Sequence, residues 1–287
     1  MTRHPASRRR SGVAILLVAG LLAALIAAPG TAAASGMTIS EAELAMVDAL
    51  NVDRTSRGLV PVRIDARLMA IAHARSVDMA TKHYRDHYRD GQLVFIEMLN
   101  DQGITWYGAG EIIAWNNSPT METSLPVANE GWLSSKGHRD IIVSTSYNYV
   151  GVGLAFDSNN GDWIWTAVYI KGPDRTGATA NVNRPTVAAG ASRATKRVTV
   201  TWTGADVQLQ TLTSGLHSFR VQRRVDSGAW ATVLASTTVK SMSLDLPAGH
   251  THVFRVAARD IAGNWGAWST ARTTLPPAIG AVIIPQR

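Results

Sequence analysis

Apolar residues recur first at helical and then at strand spacing along this chain, and the switch divides it in two. Leu44, Val47 and Leu50 follow a Ser40-Glu41-Ala42-Glu43 stretch. There the serine hydroxyl can take an orphan amide and Glu43 can reach back, so a helix is expected from this point to near Gly58. Asp65 can cap a second helix, with Leu68, Ala72, Met79 and Ala80 close to one face. A polar stretch, His83 to Gly91, leads to short helices over 93–102 and 125–135. Two β-rich runs, Tyr149–Phe156 and Trp163–Ile170, flank a hairpin-type turn at Asn159-Asn160-Gly161-Asp162. Helices first and antiparallel strands last predict an α+β module.

After a polar, small-residue stretch the period becomes two. Val198, Val200 and Trp202 alternate with threonines, and Phe219 and Val221 with polar residues. Leu244 and Leu246 alternate, as do Phe254, Val256 and Ala258. Short strands separated by turn signals such as Asp226-Ser227-Gly228 predict a β-sandwich. The expected organisation is a first module over 37–172, a linker over 173–184, a second module over 185–275 and a loose Pro-rich tail over 276–287.

The N-terminus has its own pattern. Arg3, Arg8, Arg9 and Arg10 precede an apolar run of 16 residues, Val13 to Ala28, followed by Pro29, Gly30 and Thr31-Ala32-Ala33-Ala34. Basic, apolar and then small residues read as a secretory signal over 1–34, cut after Ala34. The alternative is a retained anchor, for which the run is short of the roughly 20 residues a span needs. No later segment reaches spanning length, so no transmembrane helix is expected in the mature chain.

Composition refines this picture. The chain has 287 residues, 46% hydrophobic and 17% charged, and no cysteine. That suits a folded chain and excludes disulfides, thiolate metal sites and a cysteine nucleophile. Residues 35–183 carry 12 Lys+Arg against 17 Asp+Glu, a charge of −5; residues 184–287 carry 12 against 4, a charge of +8. An acidic module is joined to a basic one. Arg220, Arg223, Arg224, Arg255 and Arg259 suggest a basic sheet face, either solvated or binding an anionic polymer. Secretion argues against a nucleic-acid partner.

Several fragments, taken in order, resemble the CAP superfamily of cysteine-rich secretory, antigen 5 and pathogenesis-related proteins, in its bacterial cysteine-free form. They are Leu50-Asn51-Val52-Asp53-Arg54, Ala72 to Ala80, Gly110-Glu111-Ile112-Ile113-Ala114, Trp132 to Ile142 with its Gly137-His138-Arg139 centre, and Val150-Gly151-Val152-Gly153. The resemblance covers about residues 40–170 and implies an α-β-α sandwich. The second module resembles a fibronectin type III domain, most specifically in Phe254 to Asn264. That family usually has a tyrosine six residues after a leucine like Leu246. Here it is His252, so the corner is either missing or rebuilt with an imidazole hydrogen bond.

Taken alone, His87, Glu111 and His138 could be a divalent-metal site, an acid–base set or three unrelated surface residues. The resemblance implies that they line one cleft with a second glutamate, which is absent: the position has Ser135, and Glu130 lies about 140° away around the helix. A weakly bound metal such as zinc on His87, Glu111 and His138 is therefore expected, with a lipid or other small ligand in the cleft. The family's asparagine after the motif glutamate is Ile112 here, which predicts a less firmly held Glu111. No Gly-x-Ser-x-Gly, His-Glu-x-x-His or phosphate loop is present. His83 is expected beyond a helix end and His73 to be structural. Trp163, Trp165, Trp265 and Trp268 read as packing residues before sugar platforms. The expected function is a secreted binding or surface-interaction protein, with cell-surface association through the basic module. The alternative is a metal-dependent or peptidase-like hydrolase.

Overall fold

A computed structural model describes residues 36–278. The proposed signal at 1–34 and the end of the tail lie outside the described residues. The first module contains α1 (Ile39–Thr55), β1 (Arg63–Ile64), α2 (Ala66–Lys82), β2 (Tyr88–Arg89), β3 (Gln92–Leu93), α3 (Val94–Asp101), β4 (Gly108–Asn116), α4 (Met121–Ser134), α5 (Lys136–Ile142), β5 (Tyr149–Asp157) and β6 (Asp162–Lys171). Its main sheet has the order β1-β5-β6-β4, parallel between β1 and β5 and antiparallel elsewhere. Ala42, Met46 and Leu50 of α1, Trp132 of α4 and Ile142 of α5 pack with Val150, Val152, Leu154 and Trp165 on one side of the sheet. Leu68, Ile71 and Ala72 of α2 and Phe95 and Leu99 of α3 pack with Tyr149, Val168 and Ile170 on the other. This is the expected α-β-α sandwich.

The contact between α2 and β5 is unusually close. A Cβ on Gly151 would lie 2.0 Å from the Leu68 carbonyl carbon, and one on Gly153 would lie 2.1 Å from that of Ala72. No other residue leaves room for helix backbone to rest directly on strand backbone. The Ser76 hydroxyl, also buried, donates to the Gly153 carbonyl at 3.0 Å and fixes the helix along the strand.

Several local expectations shift. The first capping box is Thr38 with Glu41, two residues ahead of Ser40 and Glu43. Glu43 is instead buried and accepts from the Leu154 amide at 3.0 Å. Leu44 is exposed, because the inward stripe of α1 runs through Ala42, Met46 and Leu50. Trp165 is fully buried and donates to Ser124 Oγ at 2.9 Å, while Trp163 packs tilted against Phe156 with centroids 4.7 Å apart. Both are packing residues.

The second module contains β7 (Thr179–Val182), β8 (Thr186–Ala189), β9 (Thr195–Ala205), β10 (Leu216–Val225), β11 (Ala231–Thr237), β12 (Ser241–Pro247), β13 (Thr251–Asp260) and β14 (Ser269–Thr274). One sheet has the order β11-β10-β13-β14. The other is β12-β9-β7, with β8 also paired to β9. Val198, Val200, Trp202, Phe219, Val221, Phe254 and Val256 fill the space between them, a fibronectin type III-like sandwich. The stretch 173–184 has no apolar period, yet it carries β7 and buries Ala178 and Val182 against this core. His252 is fully buried, and its Nε2 lies 3.2 Å from the Pro247 carbonyl. That carbonyl can only accept, so the imidazole donates and rebuilds the corner; burial lowers the ring's affinity for a second proton. Among the described residues no helix is long and apolar enough to cross a membrane.

The β9–β10 loop reaches back to the first module. Leu209 is buried in the same cluster as Leu68, Phe95 and Ile170. Gln210 Oε1 accepts from the Val60 amide at 2.8 Å, and Asn148 Nδ2 donates to the Thr211 carbonyl at 3.1 Å. Leu209→Asp should therefore uncouple the modules, since a carboxylate cannot stay in that apolar site without a partner. Calorimetry should then resolve two transitions where the parent shows one. An unchanged single transition would contradict the docking role of Leu209.

Candidate functional site

The candidate site lies at β4, the edge strand of the main sheet. Alternation along β4 decides which side each residue serves. Ile112 enters the α1 side of the core, while Glu111, paired with Val168, faces α2. Position 112 is thus a core position, and its isoleucine does not leave Glu111 loose. The Glu111 side chain is fully buried, and both its oxygens are occupied: Oε1 accepts from Arg75 Nε at 2.9 Å and Oε2 from His87 Nδ1 at 2.6 Å.

Arg75 is the residue that sequence reasoning missed. It is fully buried on α2, in the stripe that also holds Leu68, Ala72, Ser76 and Met79. An arginine inside an apolar helical stripe was the available signal, because such a cation needs a buried partner. Its guanidinium also donates to Tyr84 Oη at 2.7 Å and to the Asp86 carbonyl. One side chain therefore ties Glu111 to the segment that carries His87. Burial, then the bond to Asp78, pushes the Tyr84 phenol up to about 12, so it stays protonated.

His87 is delivered by a defined chain path. Helix α2 ends at His83 in the left-handed region, φ 56°, and the β2–β3 hairpin turns at Asp90 and Gly91, φ 53° and 80°. Two successive positive φ values match the tight hairpin turn for which Asp-Gly is preferred. His83 itself is exposed, 3.2 Å from Asp157 Oδ1, and does not join His87. His73 pairs with Glu43 at 2.7 Å and is structural.

His138 sits on α5, half-buried. Burial first, and the neighbouring His87 second, lower its proton affinity. It is therefore held neutral further into acid than a free imidazole. The structure brings His87 and Glu111 into direct contact and His138 near His87. The three do not place ligand atoms mutually within 4.8 Å; among the described residues the set that does is Asp174, Asp206 and Asp260. Ser135 caps α5 by position without a side-chain capping bond, and Glu130 is exposed on α4. The donor set differs from the three-ligand expectation. Glu111 is spent on Arg75 and His87, leaving His87 Nε2 and the His138 ring as the available nitrogens.

Residues 47–169 match the model of the cysteine-rich secretory protein (CAP) family. The chain is 32% identical over 149 residues to the uncharacterised protein YkwD of Bacillus subtilis; the match covers 50% of this chain and 54% of that protein, about half its length. An extracellular protein of Bacillus anthracis with an SCP domain is similar in structure at 22% identity, over 47% of this chain and 44% of that one, with a TM-score of 0.39. The sixth fibronectin type III domain of human fibronectin type III domain containing protein 3 is similar at 22% identity, over 38% of this chain and 91% of that one, with a TM-score of 0.24.

The ion pair makes a direct demand on stability. Arg75→Met would leave a buried carboxylate without its cation and should cost about 3–5 kcal/mol. Glu111→Gln, which keeps an acceptor for Arg75, should cost less. Urea unfolding of both variants checks this order, and an Arg75→Met protein as stable as the parent would contradict it.

Proposed function

We propose that this protein, a CAP-domain chain of bacterial type through residues 47–169, is a secreted binding protein. It captures a lipid or other small ligand at the His87–Glu111–His138 cleft and attaches through its basic second module. Secretion rests on the basic, apolar and small-residue succession over residues 1–34. The division of labour follows the charge, −5 over 35–183 and +8 over 184–287.

One observation carries the binding reading over the hydrolase reading. Both oxygens of Glu111 are engaged in a fully buried site. General-base catalysis needs a group free to take a proton from an attacking water. Here the carboxylate is neutralised by Arg75, and Ser135 stands where a second carboxylate would be needed. The arrangement favours fixed recognition over proton transfer.

Of these residues, His87 and His138 supply the donors for a weakly held divalent ion such as zinc. A carboxylate on Nδ1 of His87 fixes its tautomer and leaves Nε2 as the ligand atom, an arrangement common behind metal-bound imidazoles. His138, kept neutral by burial, is the second donor. Two protein donors are fewer than a structural site uses, so affinity is low and the ion exchangeable. A bound ion would supply Lewis-acid polarisation of a ligand oxygen. Glu111 orients His87, Arg75 holds Glu111, and the β4 edge shapes the cleft.

Titration calorimetry with zinc should show weak binding by the parent and none by His138→Ala. Equal binding by both would remove the site. A peptidase assay on the same preparations should show no turnover. Robust turnover that disappears in Glu111→Gln would overturn the binding reading in favour of a hydrolase.

A further inference from the structure

The β11-β10-β13-β14 sheet turns one face to the core and the other to solvent. Register assigns the outer face. Arg220 pairs with Ala257, Gln222 with Arg255, Arg224 with Val253, and Val253 in turn with Arg272. Arg223 pairs with core residue Phe254 and so belongs to the opposite face. The basic face is therefore Arg220, Arg224, Arg255, Arg259 and Arg272, without Arg223.

Four of these arginines are stacked on indoles. The Arg255 guanidinium lies 4.2 Å from the Trp230 ring centre and 4.3 Å from that of Trp268, and Arg224 lies 5.0 Å from Trp230. Arg220 and Arg259 lie 4.4 Å and 5.8 Å from the ring of Trp265. Trp265 and Trp268 are thus neither core packing nor open sugar platforms; their faces hold cations. Gln222 Oε1 accepts from Arg255 Nη2 at 2.6 Å and Nε at 2.8 Å, and its amide donates to Thr232 Oγ1 at 3.1 Å.

No carboxylate neutralises this array among the described residues. The module's acids have other partners: Asp245 pairs with Arg197 on the other sheet, Asp206 accepts from the Gly215 amide, Asp260 accepts from Asn264, and Asp226, beside Arg224 and Arg272, pairs with His250. Several cations held close together without counter-charge repel one another, and the indoles keep them in place; Arg255 spends Nε and Nη2 on Gln222, and Arg259 spends Nε on the Gly263 carbonyl. Guanidinium edges are suited to paired hydrogen bonds with an oxyanion.

We propose that this outer face binds an acidic polysaccharide, a refinement that rests on the attachment reading above. At about 4.8 Å between neighbouring strands the face spans about 14 Å from β11 to β14, which suits an extended polymer. Arg224 and Arg272 flank a hollow of about 440 Å³ at one end, with Thr270 and the His250-paired Asp226 on its wall. The exposed hydroxyls of Thr232 and Thr270 lie beside the arginines and can meet sugar hydroxyls.

The test uses the purified whole chain and polygalacturonate as the probe, with neutral dextran, phosphatidylglycerol vesicles and duplex DNA as comparisons. The parent should bind polygalacturonate and not dextran, and should weaken at least about tenfold when salt rises from low to several times physiological strength. Arg224→Gln with Arg255→Gln should lose about tenfold in affinity, whereas Lys196→Gln with Lys240→Gln, which removes the same charge elsewhere, should stay within about twofold. Trp230→Ala with Trp268→Ala, which keeps every charge, should also weaken binding, because the arginines lose their fixed positions. Thermal melts confirm that each variant is folded. Equal losses in the arginine and lysine pairs would overturn this face while leaving charge-driven attachment intact. Tighter binding to vesicles or DNA would overturn the partner class, and no binding to any polyanion would overturn the attachment reading itself.

Discussion

Helix α2 rests on strand β5 with backbone against backbone, and the geometry of the cleft depends on that contact. Gly151 and Gly153 remove the two side chains that would separate them. Ser76 then locks the helix along the strand through the Gly153 carbonyl and Thr166 Oγ1. One helical turn of displacement would carry Arg75 about 5.4 Å along the axis, away from Glu111. Without Arg75, neither Glu111 nor the Asp86 carbonyl next to His87 would have its buried donor. A contact made by small residues in the core thus determines where a histidine stands at the surface.

The ion pair that results is better understood as a positioning device than as a source of stability. Burying a carboxylate and a guanidinium forfeits several kcal/mol of hydration, which their attraction in the interior roughly offsets. What the pair provides is direction: Glu111 can face only Arg75 and His87, and His87 is held with Nδ1 inward. The same engagement removes Glu111 from proton chemistry. On the proposed reading such a site serves recognition, and a bound zinc ion would be limited to what two imidazoles can hold. In the second module the logic is repeated at the surface, where tryptophans rather than carboxylates fix the arginines.

Much of this was legible in the sequence, for physical reasons that can be named. Strands β9 and β13 are clear because their apolar residues alternate into one core, whereas β5 and β6, buried on both faces, show as continuous β-rich runs around a turn. His87, Glu111 and His138 could be singled out only through ordered resemblance, since spacings of 24 and 27 residues carry no geometry. Arg75 was hidden because an arginine on a helix usually reads as solvated, and its partner lies 36 residues away. The tryptophans of the basic face looked like core because apolar rings usually are. Ring-to-guanidinium distances show that Trp230 and Trp268 both lie against Arg255, and only cross-strand register shows that Arg223 faces the other way while Arg272 takes its place. Strand β7 was missed because Thr-Ala-Asn-Val has too little apolar content to announce itself.

The claim that the α2–β5 contact sets the cleft is tested most directly by the tautomer of His87. Nitrogen-15 NMR of the imidazole distinguishes a proton fixed on Nδ1 from an exchanging mixture. In the parent protein the Nδ1–H form should dominate, because Glu111 accepts from it at 2.6 Å. In Gly153→Ala the new methyl must push α2 off the strand, and the folded protein should show the mixed tautomers of an unheld imidazole. A Gly153→Ala protein whose His87 keeps the parent's Nδ1–H signature would contradict the account.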